Sequence, residues 1–160
     1  MTGRTLAPAL AALLIAGAMP ALAQGAGTPV APPGYDIPMS NDPLWLTLAH
    51  CKVGYDTATG LNKLEFTPEV LAMNGQTVSV SGYVLPLDGS DLTKHFILQR
   101  TSPDCLFCPP ADSNMLIEVD SARAVPWNGK LVTITGKLQL VRNEEQGFFF
   151  YISGADWKWT

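Results

Sequence analysis

Two of the three cysteines of this chain lie close together in the segment Pro-Asp-Cys-Leu-Phe-Cys-Pro-Pro, residues 103–110. Cys105 and Cys108 are separated by two residues, a spacing that suits a disulfide, disulfide exchange or half of a metal site. Thiolates are soft ligands that select zinc or copper(I), and a further cysteine or a histidine completes such a site. Cys51 and the adjacent His50 are available for this purpose. Cys105, Cys108, Cys51 and His50 are therefore the candidate metal ligands, and zinc or copper the candidate cofactor.

Two other uses of the cysteines stay open. A structural disulfide would join Cys105 to Cys108, or one of them to Cys51, and would leave one thiol free. A redox-active pair is the other use, but thioredoxin-like proteins place the first cysteine at a helix N-terminus that lowers its pKa. Here Pro109 and Pro110 follow at once, between two predicted strands. A redox-active pair would therefore lack the helix N-terminus that usually lowers the pKa of its first cysteine.

Motifs of the common enzyme classes are absent from the sequence. There is no Gly-x-Ser-x-Gly, no His-Glu-x-x-His and no glycine-rich phosphate loop. We therefore expect a non-enzymatic binding or accessory protein that coordinates a soft metal ion. The alternatives are a periplasmic thiol-disulfide oxidoreductase and a protein-interaction module with a structural Cys105–Cys108 disulfide.

The first 23 residues predict export. One positive charge, Arg4, precedes an apolar run over residues 6–19, and Ala21 and Ala23 provide the small-x-small pattern of a signal peptidase site. The run is shorter than the roughly 20 residues of a membrane span. We expect cleavage before Gln24, a periplasmic product, and no transmembrane span in the mature chain.

The charge balance argues against nucleic acid as a partner. The chain of 160 residues has a formal net charge of −4 and no cluster of Lys or Arg. Nucleic acid and anionic lipid both require several cations to neutralise phosphates. We therefore expect neither of these two partners.

The rest of the chain divides into a linker and one domain. Residues 24–43 are rich in Gly, Ala and Pro, as in an extended linker, and residues 44–160 form the domain. Asp42-Pro43 and Thr67-Pro68 are typical helix starts. After Gly75 the apolar residues alternate with period two, and this predicts five strands. These strands lie near residues 78–84, 95–101, 115–120, 131–142 and 148–153.

The predicted strands favour a small barrel. Gly82 and Gly136 occupy equivalent positions in two similar strands, where a glycine lets the strand coil sharply. The predicted fold class is mainly β, a small five-stranded OB-like barrel with one or two short helices. The connection between the second and third strands, residues 102–114, contains the two neighbouring cysteines and is called the cysteine loop below. His95 begins the second strand, about 20 Å of strand away from this loop.

Several segments resemble a bacterial family called domain of unknown function 3299. The resemblance extends over about Phe66 to Trp157, and it rests on Gly82–Leu87, His95–Leu98, Cys105–Pro110, Asn114 and Ile117–Val119. The centre of the family pattern is a cysteine followed soon by consecutive prolines, which Cys105, Pro109 and Pro110 match. Some members have a histidine near the place of the second cysteine, and this interchange favours ligation over disulfide pairing.

The resemblance also implies a setting for the protein. Family members are small exported proteins, often lipid-anchored, and many are linked to transport or metal homeostasis. Other exported or membrane transport proteins are thus the expected partners. Gln24, where anchored members have a cysteine, is a departure from the lipid-anchored pattern.

Overall fold

The computed structural model describes residues 37–103 and 111–160. The predicted signal peptide, most of the linker, and Cys105 and Cys108 lie outside the described residues. The described chain forms two α-helices, a short 3-10 helix and seven β-strands. In chain order they are α1 Pro43–Ala49, β1 Lys52–Asp56, β2 Leu61–Glu65, α2 Pro68–Ala72, β3 Thr77–Pro86, β4 Leu92–Gln99, the 3-10 helix Ser113–Met115, β5 Leu116–Pro126, β6 Val132–Asn143 and β7 Phe148–Trp159.

Both helices start where the sequence predicts. The Asp42 carboxylate accepts a hydrogen bond from the Leu44 N–H, and the Thr67 hydroxyl accepts one from the Val70 N–H. A proline follows each capping residue, in the first turn where a missing N–H costs nothing. The side chains at the helix starts thus satisfy backbone donors that the helices leave unpaired.

The five strands β3 to β7 close into a barrel. Their order around the barrel is β3-β4-β5-β7-β6, and β6 returns to pair with β3. The β5–β7 pair is parallel, whereas the other neighbouring pairs are antiparallel. This strand order, with its third and fifth strands parallel, is that of the OB type of barrel. The predicted fold class is confirmed.

In β5 and β6 the buried side chains alternate along the strand, as the period-two pattern predicts, whereas β4 and β7 also bury consecutive residues. The largest fully buried side chains of the core are aromatic or branched, and two of them belong to α1. They include Trp45, Leu48, Phe96, Leu98, Ile117, Ile134, Leu138, Phe149, Phe150 and Ile152. Partly buried Phe66 lies edge-on to Phe149 and Phe150, with ring centroids 6.5 and 5.8 Å apart.

The two mid-strand glycines lie where the barrel wall bends. Residues Thr77–Gly82 of β3 pair with β6, and residues Tyr83–Pro86 pair with β4, so the strand changes partner at Gly82. Gly136 lies at a register shift between β6 and β7. A Cβ at Gly82 would lie 2.8 Å from Leu98 Cγ, and one at Gly136 would lie 2.5 Å from Ile152 Cγ2. Only glycine fits these approaches without displacing a neighbour.

One element is additional to the predicted fold. Strands β1 and β2 form a two-stranded antiparallel hairpin outside the barrel. Asn62 of β2 donates from its backbone N–H and its Nδ2 to the Glu144 carbonyl, at 3.0 and 3.1 Å, and Leu64 joins the core. The hairpin is thus fixed to the end of the barrel that has the β6–β7 turn and the described flanks of the cysteine loop, called the loop end below. Within the described residues, no helix has the length and apolar character needed to span a membrane.

Candidate functional site

Cys51 lies at the loop end, two residues after α1. Cys51 is 3% exposed and belongs to the core cluster, and its thiol forms no disulfide within the described part of the chain. The Cys51 N–H donates to the Leu48 carbonyl at 3.0 Å, which continues the last turn of α1. The helix therefore determines where this thiol lies.

His50 is adjacent to Cys51 but has a different environment. It is the C-cap of α1, and its backbone N–H donates to the Thr47 carbonyl at 3.3 Å. The residue is exposed, whereas Cys51 is buried. The two candidate ligands from this segment thus differ in their access to solvent.

Asn114, the last residue of the cysteine loop, links the loop to Cys51. It is 8% exposed, and its Nδ2 donates to the Ala49 carbonyl at 3.3 Å and to the Cys51 carbonyl at 3.1 Å. These two acceptors fix the orientation of the amide, because the opposite orientation would place oxygen against oxygen. The end of the cysteine loop is therefore attached directly to the backbone of a candidate ligand.

The other oxygen of the same side chain has no partner. Asn114 Oδ1 is buried and accepts no hydrogen bond from any described residue. Leaving a buried acceptor unpaired costs about 1–3 kcal/mol, so such atoms usually mark a bound water, ion or functional group. The corner between α1 and the cysteine loop therefore contains an acceptor with capacity for one more donor.

The start of the cysteine loop is attached to the segment that precedes α1. The Ser40 N–H donates to the Arg100 carbonyl at 2.8 Å, and the Ser102 N–H donates to the Pro38 carbonyl at 2.9 Å. Arg100 Nε also donates to the Ser40 carbonyl, at 3.2 Å. Residues 37–43, which their composition assigns to the end of the linker, thus contact the barrel. The start of the loop is thus bonded to residues just before α1, and its end is bonded to residues at the end of α1 and just after it.

The position of the remaining two candidate ligands lies outside the described residues. Cys105 and Cys108 belong to the segment 104–110, so their approach to Cys51 and His50 stays a prediction. In residues 37–103 and 111–160, no three His, Cys, Asp or Glu side chains form a group suited to a metal ion.

A separate polar cluster lies on the outer wall of the barrel. His95 Nε2 lies 2.8 Å from Glu118 Oε1, and the Tyr151 hydroxyl donates to the Asp120 carboxylate. The hydrogen bond to Asp120 raises the pKa of Tyr151 to about 12, with burial and the nearby Glu118 adding to the effect. Tyr151 is therefore a donor at neutral pH, and His95 interacts with Glu118 on the wall.

The bridging role of Asn114 was not predicted from the sequence. Asn114 contributes to the family resemblance, but its partners are backbone carbonyls, and that of Cys51 lies 63 residues away in sequence. A hydrogen bond to a carbonyl does not depend on the identity of the accepting residue. The only sequence signal was an amide side chain directly before an apolar strand, which is too common to be specific.

The fold and the sequence of the loop define the class of protein. It is a small β-barrel protein of the OB type with a cysteine-containing loop between its second and third barrel strands. Residues 51–150 match the model of the family described as Protein of unknown function (DUF3299), and the chain belongs to this family. The predicted family is confirmed. The match begins at Cys51, so it includes the β1–β2 hairpin as well as most of the barrel.

A solved structure supports the same architecture. The chain is similar to the crystal structure, at 2.45 Å resolution, of a DUF3299 family protein from Pseudomonas aeruginosa PAO1, with a TM-score of 0.51 and 18% identity. The similarity covers 61% of this chain and 68% of that one. At this identity it shows a shared fold. A comparison with curated proteins gives no match.

Replacing Asn114 by alanine is expected to lower the free energy of unfolding by about 1–2 kcal/mol, because the Ala49 and Cys51 carbonyls lose their donor. Urea denaturation of the chain from Gln24 to Thr160 measures this loss. Asn128→Ala, in an exposed turn where the side chain only accepts from the Lys130 N–H, is the matched control. Equal stability of the two variants would show that the bridge contributes nothing.

Proposed function

We propose that this protein is an exported, non-enzymatic binding protein whose Cys105, Cys108 and Cys51 hold a soft metal ion, Zn²⁺ or Cu⁺. The observation that supports this function best is the Asn114 bridge. Its amide joins the last residue of the cysteine loop to the carbonyl of Cys51, at 3.1 Å. The bridge attaches the described end of the cysteine loop, six residues after Cys108, to the residue that would provide the third thiol.

Attachment of the loop at both ends favours a binding site for thermodynamic reasons. Bringing distant ligands together costs conformational entropy, and metal binding must exceed this cost. Here the Ser40–Arg100 and Ser102–Pro38 hydrogen bonds already hold the start of the loop, and Asn114 holds its end. Less of the binding energy is then needed to order the ligands.

The chemistry of Cys51 agrees with the proposal. Cys51 is buried and forms no disulfide with any described residue, and a set of three cysteines cannot be paired completely within one chain. As a thiolate, Cys51 would be the third soft ligand for the ion. His50 is the candidate for a fourth ligand, because it is adjacent to Cys51 in the chain and is exposed.

The family resemblance extends the proposal to a cellular role. It supports an accessory protein of transport or metal homeostasis, with exported or membrane transport proteins as its partners.

Metal content tests the proposal. The chain from Gln24 to Thr160 is purified, reduced without oxygen, and equilibrated with Zn²⁺ or Cu⁺, and bound metal is measured by mass spectrometry. We expect about one ion per chain, and loss of the ion in the Cys105→Ser/Cys108→Ser variant. Cys51→Ser is expected to weaken binding at least about tenfold, since one thiolate is lost. His95→Ala, a histidine on the barrel wall, is the matched control for His50→Ala.

Absence of bound metal from the reduced wild type would refute the proposed function. The two alternatives are then separated by a disulfide map and by the reduction potential of the Cys105–Cys108 pair. A potential below about −300 mV would mark a structural bridge and would exclude an oxidoreductase.

A further inference from the structure

The outer strand of the hairpin, β1, has an open edge. It pairs with β2 on one side, and no second strand pairs with it among the described residues. Lys52, Val53, Gly54 and Tyr55 are all exposed. In an antiparallel pair, alternate residues direct their N–H and C=O groups away from the partner strand. The edge of β1 therefore presents unpaired backbone donors and acceptors to solvent.

This edge lacks two of the features that normally prevent strand pairing, a proline and a bulge. Proteins protect an exposed edge with prolines, bulges or inward-facing charges. The strand β1 contains no proline, and its register with β2 is continuous from Lys52 to Asp56. It also exposes Val53 by 42% and Tyr55 by 63%, and an open groove of about 510 Å³ lies along it. The edge is thus suited to accept another strand.

The sequence of β1 is complementary to itself. When two copies are placed antiparallel about a two-fold axis at Gly54, Lys52 lies opposite the partner's Asp56 and Val53 lies opposite the partner's Tyr55. The axis itself passes between two glycines, which place no side chains there. Opposite charges and aromatic–β-branched pairs are the cross-strand combinations that stabilise a sheet. Each favourable pair occurs twice because of the symmetry.

We propose that this strand edge is the contact surface for a second copy of the same chain, with β1 pairing antiparallel to β1 of the partner subunit. The four-stranded sheet that results would have the order β2-β1-β1-β2. Two-stranded hairpins are marginal by themselves, and additional strands stabilise them.

The charges on one face of the hairpin extend the complementarity. Lys63 Nζ lies 2.7 Å from Asp56 Oδ2, and Lys52 Nζ lies 3.4 Å from Glu65 Oε2. Across the proposed contact, Asp56 would lie beside the partner's Lys52. The row Lys63, Asp56, the partner's Lys52 and the partner's Glu65 then alternates in sign. The Lys63 hydrogen bond lowers the pKa of Asp56 to about 2, so this carboxylate is charged at neutral pH.

The proposed contact is small. Strands of five residues bury less than the roughly 1,600 Å² of a standard interface. We therefore expect a weak dimer that forms as the protein concentration rises and dissociates on dilution. None of the four proposed metal ligands belongs to β1, and the test of the contact measures association and not metal content.

Sedimentation velocity of the chain from Gln24 to Thr160 tests the contact. The wild type is expected to shift from monomer to dimer with rising concentration. The K52E substitution places like charges opposite each other twice and should raise the dimer Kd about tenfold, as should D56K. Each K52E chain then presents two acidic groups and each D56K chain two basic groups. An equimolar mixture should therefore dimerise at least as well as the wild type.

K130E, a charge reversal in the turn at the opposite end of the barrel, is the control and should dimerise like the wild type. A wild type that stays monomeric at every concentration would overturn the proposal. So would a K52E variant that dimerises like K130E. The D56K substitution also removes the hydrogen bond from the Ala58 N–H. If that variant does not fold, K52E still decides the question.

Discussion

Replacing Trp45 by alanine is expected to lower the free energy of unfolding by about 3–5 kcal/mol, the usual range for a large aromatic side chain removed from a core. Trp45 is fully buried in the core cluster. Its Nε1 also donates to the Ser81 carbonyl at 2.8 Å, so the substitution removes a hydrogen bond as well as volume. Urea denaturation followed by far-ultraviolet circular dichroism measures the loss.

Two further variants separate the effect of lost volume from that of the lost hydrogen bond. Leu46→Ala lies on the same helix but is 55% exposed, and it should change stability by less than about 0.5 kcal/mol. Trp45→Phe keeps most of the volume but leaves the Ser81 carbonyl without its donor, and about 1–2 kcal/mol should be lost. A Trp45→Ala variant as stable as Leu46→Ala would contradict the assigned position of α1.

The effect of Trp45 should extend to the candidate site. α1 is fixed to β3 at one residue, because Ser81 accepts from Trp45 and its own N–H donates to Asp42 Oδ2 at 2.9 Å. Cys51 follows the same helix, and its N–H continues the last turn. A loosened α1 would therefore displace a proposed metal ligand, and Trp45→Ala should also weaken metal binding if the proposed site is correct.

The barrel could be predicted because each of its signals is local. Alternation of apolar residues in β3 and β6 requires only neighbouring positions, and the glycines at 82 and 136 mark the bends in the same strands. The two helix starts depend on an Asp or Thr followed by proline. Local signals of this kind agree with one another in a sequence that specifies one fold.

The β1–β2 hairpin could not be predicted in the same way. The five residues of β1 alternate in polarity, but those of β2, Leu-Asn-Lys-Leu-Glu, do not, so the alternation is too short to mark a hairpin. Its turn does contain a signal, because Gly60 has a positive φ of 73° and its N–H donates to the Asp56 carbonyl. A turn without alternating strands on both sides is not sufficient to predict a hairpin.

The candidate site was predictable in its residue types but not in its arrangement. Cys51 and His50 are adjacent in sequence, and a sequence cannot show that one is buried and the other exposed. The Asn114 bridge depends on the end of α1 meeting the end of the cysteine loop, a tertiary contact between segments far apart in the chain. Contacts of this kind follow from the closed barrel and the packing of α1 on it.

Gly136→Ala is expected to lower the free energy of unfolding by about 2–3 kcal/mol, as overpacking in a core commonly does. Glycine in a strand usually costs stability relative to alanine, so an ordinary site would show the opposite sign. The new Cβ would lie 2.5 Å from Ile152 Cγ2 and 3.1 Å from the Ala155 Cα, and the latter is backbone that cannot turn aside. β6 and β7 would therefore have to separate where their register shifts.

Gly54→Ala provides the matched control for Gly136→Ala, because Gly54 is also in a strand and its added Cβ would lie 3.7 Å from Lys63 Cβ, an ordinary contact. We expect Gly54→Ala to leave stability unchanged or to raise it by up to about 1 kcal/mol. Urea denaturation at low protein concentration keeps the comparison free of any association through β1. Equal stability of the two variants would show that β6 and β7 do not approach as closely at Gly136 as the barrel requires. A large loss for Gly136→Ala alone would locate the bend of the barrel wall at that residue.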